Sequence, residues 1–129
     1  TVFGPGYHTD GRERHFIYDL IFKILNGKRT GAKVTLWGDG HQRRELIHVR
    51  DVLGALEAVA QGPANTVYNL GTGDAHSIRE FASLICDELE FDFNKIEFDE
   101  SRYVGLRSKI LEPRKLLGLG YKFQVTLTE

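Results

Sequence analysis

The sequence predicts an α/β fold of mixed short strands and three to four helices, with at least some strands paired in parallel. Three observations carry this. Apolar residues recur at helical spacing within 16–25, 52–60 and 78–89. Short β-branched or aromatic runs at 1–3, 34–37, 66–70 and 95–98 alternate with those helices. Glycine and proline punctuate the junctions, as at Gly4-Pro5-Gly6, Gly62-Pro63 and Gly71-Thr72-Gly73. Strand–helix alternation implies parallel pairing, and ligands of such folds gather at loops beyond strand ends. The loops after Phe3, Trp37 and Leu70 are the candidates.

In chain order, Thr1 to Phe3 reads as a strand end that runs through the Gly4-Pro5-Gly6 turn into a polar loop containing Tyr7, His8 and Thr9 to Arg14. A helix follows, with Phe16, Ile17, Leu20, Ile21, Ile24 and Leu25 as one apolar stripe and Asn26-Gly27 as its stop. His15 stands at its N-terminus, at the border of loop and helix, where it can face a cleft. A surface histidine is the structural alternative. Lys28 to Lys33 is a basic loop.

Val34 to Trp37 then reads as a strand that turns through Gly38-Asp39-Gly40 and returns as a hairpin carrying Arg43, Arg44 and His48. This places Trp37, a flat apolar surface, near two guanidinium groups whose planar fork matches phosphate oxygens. A nucleotide diphosphate suits that pairing, whereas the plainer alternative is an edge Trp with two solvated arginines. The second helix runs over Val52, Ala55, Leu56, Val59 and Ala60 to Gly62-Pro63, with Asp51 as N-cap or first-turn acid.

Thr66 to Leu70 has strand composition, and Gly71-Thr72-Gly73 turns tightly after it. Lacking a third glycine, this G-T-G is weak evidence for a phosphate site. Ser77-Ile78-Arg79-Glu80 has the form of a capping box opening a third helix. A strand at Lys95 to Phe98 precedes the polar loop Asp99 to Arg102. Arg107 and Lys109 flank Ser108 and fall on one face of a short strand. Pro113 fits the first turn of a last short helix stopped by Gly118-Leu119-Gly120, and the tail runs from Phe123 to Glu129.

The 129 residues, 41% hydrophobic and 27% charged, suffice for one domain with a core. A net charge of −1 offers no basic excess for nucleic acid. No apolar run approaches the ~18 residues that span a bilayer, and no signal peptide opens the chain, so no membrane partner and a cytoplasmic location are expected. The single cysteine, Cys86, excludes an internal disulfide and lies in a helical pattern as a buried thiol; no metal site is expected. With no methionine and a start inside a strand, the sequence reads as a piece of a longer protein.

Thr1 to Gly6 (T-V-F-G-P-G), W-G-D-G with R-R-E-L-I-H-V-R-D over 37–51, Y-N-L-G-T-G at 68–73, S-I-R-E at 77–80 and L-G-Y at 119–121 come in the order seen in extended short-chain dehydrogenase/reductases. The chain resembles this family of NAD-dependent epimerases and dehydratases over essentially its whole length, and within it most resembles the GDP-fucose synthases. The resemblance implies the C-terminal substrate-binding portion of a Rossmann-like fold, residues 1–129, with the NAD(P)-binding part and its Tyr-x-x-x-Lys pair preceding Thr1.

It further implies a nucleotide-diphosphate sugar as ligand, NAD or NADP as cofactor and a homodimer for the intact protein. Arg44 matches the arginine that grips the phosphates, Trp37 a residue contacting the nucleotide, and Lys23 a substrate-binding arginine. Arg107 and Lys109 align with basic residues that close over the substrate. His15 matches the acid/base histidine near the nicotinamide, and Thr1 and Val2 lie on the strand that ends beside it. Thr1 stands where asparagine is usual, Lys23 replaces arginine, and Val104 occupies a frequent aspartate position. The implied activity is that of a GDP-4-keto-6-deoxymannose 3,5-epimerase/4-reductase. The alternatives are a nucleotide-sugar 4-epimerase or 4,6-dehydratase, or a non-catalytic binding module; the piece alone is expected to be inactive.

Overall fold

A computed structural model describes residues 1–8 and 10–127; Thr9 of the polar loop and the tail residues Thr128 and Glu129 lie outside it. The elements are β1 (Val2–Phe3), α1 (Phe16–Thr30), β2 (Val34–Trp37), β3 (Arg43–Glu45), β4 (Ile47–His48), α2 (Val49–Ala60), β5 (Ala75–Ser77), α3 (Ile78–Glu88), a 3-10 turn (Phe93–Lys95), β6 (Ile96–Asp99), β7 (Ser108–Lys109) and α4 (Arg114–Leu117). The chain forms two compact units. The first holds Thr1–Thr9, Arg44–Ala75 and Lys109–Glu129, the second Asp10–Arg43 and His76–Ser108.

In the second unit β2 and β6 pair in parallel, from Val34 opposite Ile96 to Trp37 opposite Asp99. Val34 and Leu36 face inward and Thr35 and Trp37 outward, the period-two alternation of a half-buried strand. The inward face meets Ile17, Leu20 and Ile24 of α1 and Phe81, Ala82 and Cys86 of α3 in one core. Burial pushes the Cys86 thiol up, as befits a structural thiol. The capping box forms as predicted: Ser77 Oγ accepts from the Glu80 N–H, and Glu80 accepts from the Ser77 N–H.

Two expectations in this unit are corrected. The hairpin does not form, because β2 takes β6 as partner, and the residues beyond the Gly38-Asp39-Gly40 loop become β3 and β4 instead. Asn26-Gly27 does not stop α1, which runs to Thr30 with Gly31 as its left-handed cap. Gly27 sits inside the helix where it packs on β2. A Cβ there would meet Val34 Cγ2 at 2.4 Å and the Ala32 carbonyl at 3.2 Å. Gly27→Ala is therefore expected to destabilise by about 1–3 kcal/mol despite its better helix propensity, a result that urea denaturation will read.

In the first unit β1 pairs in parallel with β4, Val2 opposite Ile47 and Phe3 opposite His48. Leu46, Ile47, Ala55, Ala75 and Leu116 are its buried apolar residues. His48 caps α2 by accepting from the Arg50 N–H, while Asp51 falls in the first turn. Asp51 does more than its predicted local role. Its side chain, 2% exposed, accepts from the Tyr121 hydroxyl (2.8 Å) and from the N–H groups of Gln124 (2.8 Å) and Val125 (3.1 Å). Thr66–Leu70 is not a strand, and its Val67 is 80% exposed; β composition without a partner makes no ladder.

Candidate functional site

The second unit offers an aromatic surface ringed by cations. Trp37 closes β2 with its side chain 54% exposed, at the carboxyl edge that β2 shares with β6. The loop beyond it is tightly held. Gly38 and Gly40 have φ of +78° and +76°, and a Cβ at Gly40 would meet the Phe98 ring at 2.4 Å and Arg79 Cγ at 2.7 Å. Arg79 stands over Phe98, its Cζ 3.8 Å from the ring centre, and its Nε donates to the Asp39 carbonyl at 2.7 Å. Gln42 Nε2 donates to the Trp37 carbonyl at 3.3 Å. The W-G-D-G motif is thus a rigid turn that fixes the tryptophan.

Two cations stand over the ring: Lys23 Nζ at 5.9 Å and Arg102 Cζ at 5.5 Å from its centre. Lys23 is held at 2.8 Å by Asp19, one turn earlier on α1. Lys23 and Trp37, both expected at the ligand, are therefore brought together. Arg102 is a residue that sequence reasoning missed. Its signal was the polar loop after β6, which gains meaning only once β6 is known to lie beside β2.

Arg107, expected to close over substrate, braces the same turn, its Nη1 2.7 Å from Asp39 Oδ2. That hydrogen bond, with a further one from the His41 N–H, holds the Asp39 carboxyl below its usual range. Arg43 faces the capping Glu80 at 3.5 Å. His15 is the N-cap residue of α1, with extended backbone and an exposed side chain that makes no capping bond.

Arg44 and Lys109 belong to the first unit, on the neighbouring strands β3 and β7, the arginine half-buried and the lysine exposed. Trp37 and Arg44, expected on either side of one hairpin, are thus in different units. Beside Arg44, the Glu45 carboxylate is buried and accepts from Thr72 Oγ1 (3.0 Å), the Gly73 N–H (2.6 Å) and the Leu111 N–H (3.0 Å). The G-T-G turn thus binds an anion, but the anion is the protein's own carboxylate. Thr1 and Val2 hold the β1 edge, the Thr1 carbonyl accepting from the Ile47 N–H at 2.9 Å.

This unit also has an open groove of about 490 Å³ between α2 and the Leu119-Gly120-Tyr121 segment. Its one charged lining residue is Glu57, so it is no phosphate site. Among the described residues no cluster of three His, Cys, Asp or Glu is placed to hold a metal ion, and no helix is long and apolar enough to cross a membrane.

This architecture recurs in solved proteins. A GDP-L-fucose synthetase from Naegleria fowleri superposes with a TM-score of 0.82 at 25% identity, over 97% of this chain and 39% of that one. A UDP-glucose 4-epimerase from Thermotoga maritima, solved with UDP-glucose, gives 0.81 at 26% identity, over 98% of this chain and 40% of that one. The fold is the Rossmann-like α/β fold of these enzymes. A GDP-L-fucose synthase of Azorhizobium caulinodans is 31% identical over 94% of the chain and 39% of its own length. The chain spans about two fifths of the length of the curated relatives it matches. The model of the NAD dependent epimerase/dehydratase family matches residues 1–71, over half of the 129. By that match the chain belongs to the NAD dependent epimerase/dehydratase family.

Proposed function

We propose that this chain is the C-terminal, substrate-binding part of an NAD(P)-dependent enzyme acting on a nucleotide-diphosphate sugar, of the GDP-4-keto-6-deoxymannose 3,5-epimerase/4-reductase kind. The observation that carries the reading is Trp37, half-exposed on a rigid turn at the carboxyl edge of a parallel strand pair, with Lys23 and Arg102 over its ring. Such a surface accepts a planar base, and the neighbouring cations suit the charge that follows it. In this reading Arg44 and Lys109 supply phosphate and sugar contacts, and Arg107 acts through the Asp39 turn.

The cofactor supplies the hydride chemistry, and the residues of this chain suit only its edge. Thr1 and Val2 end in the turn after β1, and His15 opens α1. In the Gly71-Thr72-Gly73 turn, which resembles a pyrophosphate cradle, the Gly73 N–H and the Thr72 hydroxyl are engaged by Glu45. In this reading the pyrophosphate of NAD or NADP is held by an NAD(P)-binding part that precedes this chain. Without that part the chain is inactive; the intact enzyme is a cytoplasmic homodimer.

Calorimetry of the full-length protein with GDP-, UDP- and dTDP-sugars tests the reading. One of them should bind, and Arg44→Ala should weaken it by about 1.5–3 kcal/mol, the value of a charge-assisted phosphate contact. Unchanged binding by that variant would falsify the assignment. The likeness to the Thermotoga maritima UDP-glucose 4-epimerase favours one second reading, 4-epimerisation or 4,6-dehydration without proton transfer at His15.

A further inference from the structure

The buried carboxylate next to Arg44 sits where it governs both cations of the first unit's site. Glu45 is 5% exposed and ends β3, a strand whose successive side chains point to opposite faces. The bonds that hold this carboxylate inside therefore also fix the direction in which Arg44 leaves the strand. Oε1 accepts from Thr72 Oγ1 (3.0 Å) and the Gly73 N–H (2.6 Å), and Oε2 from the Leu111 N–H (3.0 Å). Leu111 stands two residues beyond Lys109, on the segment that leaves β7. One side chain thus ties down the segment of each cation.

The seat is closed. A Cβ at Gly71 would meet Oε1 at 2.7 Å, Oε2 at 2.8 Å and Leu111 Cβ at 2.7 Å, so the turn packs against the carboxylate and leaves no room there for a second anion. A tie between two segments needs no charge, and burying one is costly unless it is bonded. A negative charge at this place offsets the repulsion between two cations on the neighbouring strands β3 and β7.

We propose that Glu45 is a positioning residue of the phosphate site: without touching the ligand, it sets the direction of Arg44 and its spacing from Lys109. The inference rests on the nucleotide-sugar reading and deepens it, adding a buried acid that governs affinity for the diphosphate through the residue beside it.

Calorimetry of the full-length protein with GDP and UDP tests it as a double-mutant cycle, read on whichever binds the wild type more tightly. Glu45→Gln keeps the shape but turns a donor amide toward a donor N–H, and should weaken that nucleotide about tenfold. In the Arg44→Ala background the same change should cost less than about threefold, because the residue through which Glu45 acts is gone. A residue that only stabilised the unit would cost the same factor in both backgrounds. Thr72→Val removes one of the three donors and should lose about threefold in the wild type and nothing measurable in Arg44→Ala; it carries the test if Glu45→Gln does not fold. Equal factors in the two backgrounds, or unchanged affinity in the variant that carries the test, overturn the role of Glu45 and leave the nucleotide-sugar reading in place. Failure of both nucleotides to bind the wild type, or an Arg44→Ala variant that binds as well as wild type, overturns both.

Discussion

Asp51→Ala in the full-length protein is expected to lower stability by about 3 kcal/mol. The carboxylate is buried and receives three hydrogen bonds, two of them from backbone N–H groups of the segment at 124–125. Bonds to a charged acceptor contribute ~1.5–3 kcal/mol each, and the partly exposed tail recovers some of this from water. Tyr121→Phe removes one donor and should cost about 1 kcal/mol. Urea denaturation reads both, and limited proteolysis reads the cause: the alanine variant should be cut within 121–127 while the rest of the chain survives. Equal protection of that segment in variant and wild type would refute the clasp.

The same contact has an alkaline signature. Burial first, and then the hydrogen bond to Asp51, push the Tyr121 hydroxyl from 10 up to about 12. A folded-state pKa above the unfolded one means the contribution to stability is complete below pH 10 and falls as pH rises through about 12. Tyrosinate absorbance should show one late-titrating tyrosine, and Asp51→Asn should bring it back toward 10.

Locally encoded features were legible, and features set by a distant partner were not. The Ser77/Glu80 box, the burial of Cys86, His15 as the residue before α1 and the glycines of the W-G-D-G turn follow from short-range chemistry, and each is found where the residues put it. The hairpin failed because alternation marks a strand without naming its neighbour, and the neighbour of β2 lies about 60 residues downstream. Arg102 escaped notice for the same reason. Asp51 and Tyr121 stand in two motifs 70 residues apart, and their hydrogen bond joins the two, though neither motif announces the other. Of the residues expected at the ligand, Lys23 and Trp37 come together, as do Arg44 and Lys109, while Arg107 is turned onto Asp39.

His15→Ala is expected to lower kcat of the full-length enzyme about 100-fold or more while nucleotide affinity stays within about twofold. Epimerisation beside a ketone needs one group to take a proton from the adjacent carbon and a group to return it, and an imidazole serves either role near neutral pH. The fold gives this histidine a fixed base: its carbonyl accepts from the Asp19 N–H at 3.1 Å, and its backbone is the extended N-cap of a fifteen-residue helix whose third turn carries Lys23. The exposed ring makes no capping bond to α1. In deuterated water the wild type should incorporate label at the epimerised sugar carbons, and His15→Ala should not, although it still reduces a substrate whose centres are already inverted. Full label incorporation and near-normal turnover in the variant would instead assign the proton transfer to another group, and label absent from both proteins would assign the chemistry to 4-epimerisation; either result removes the role of His15.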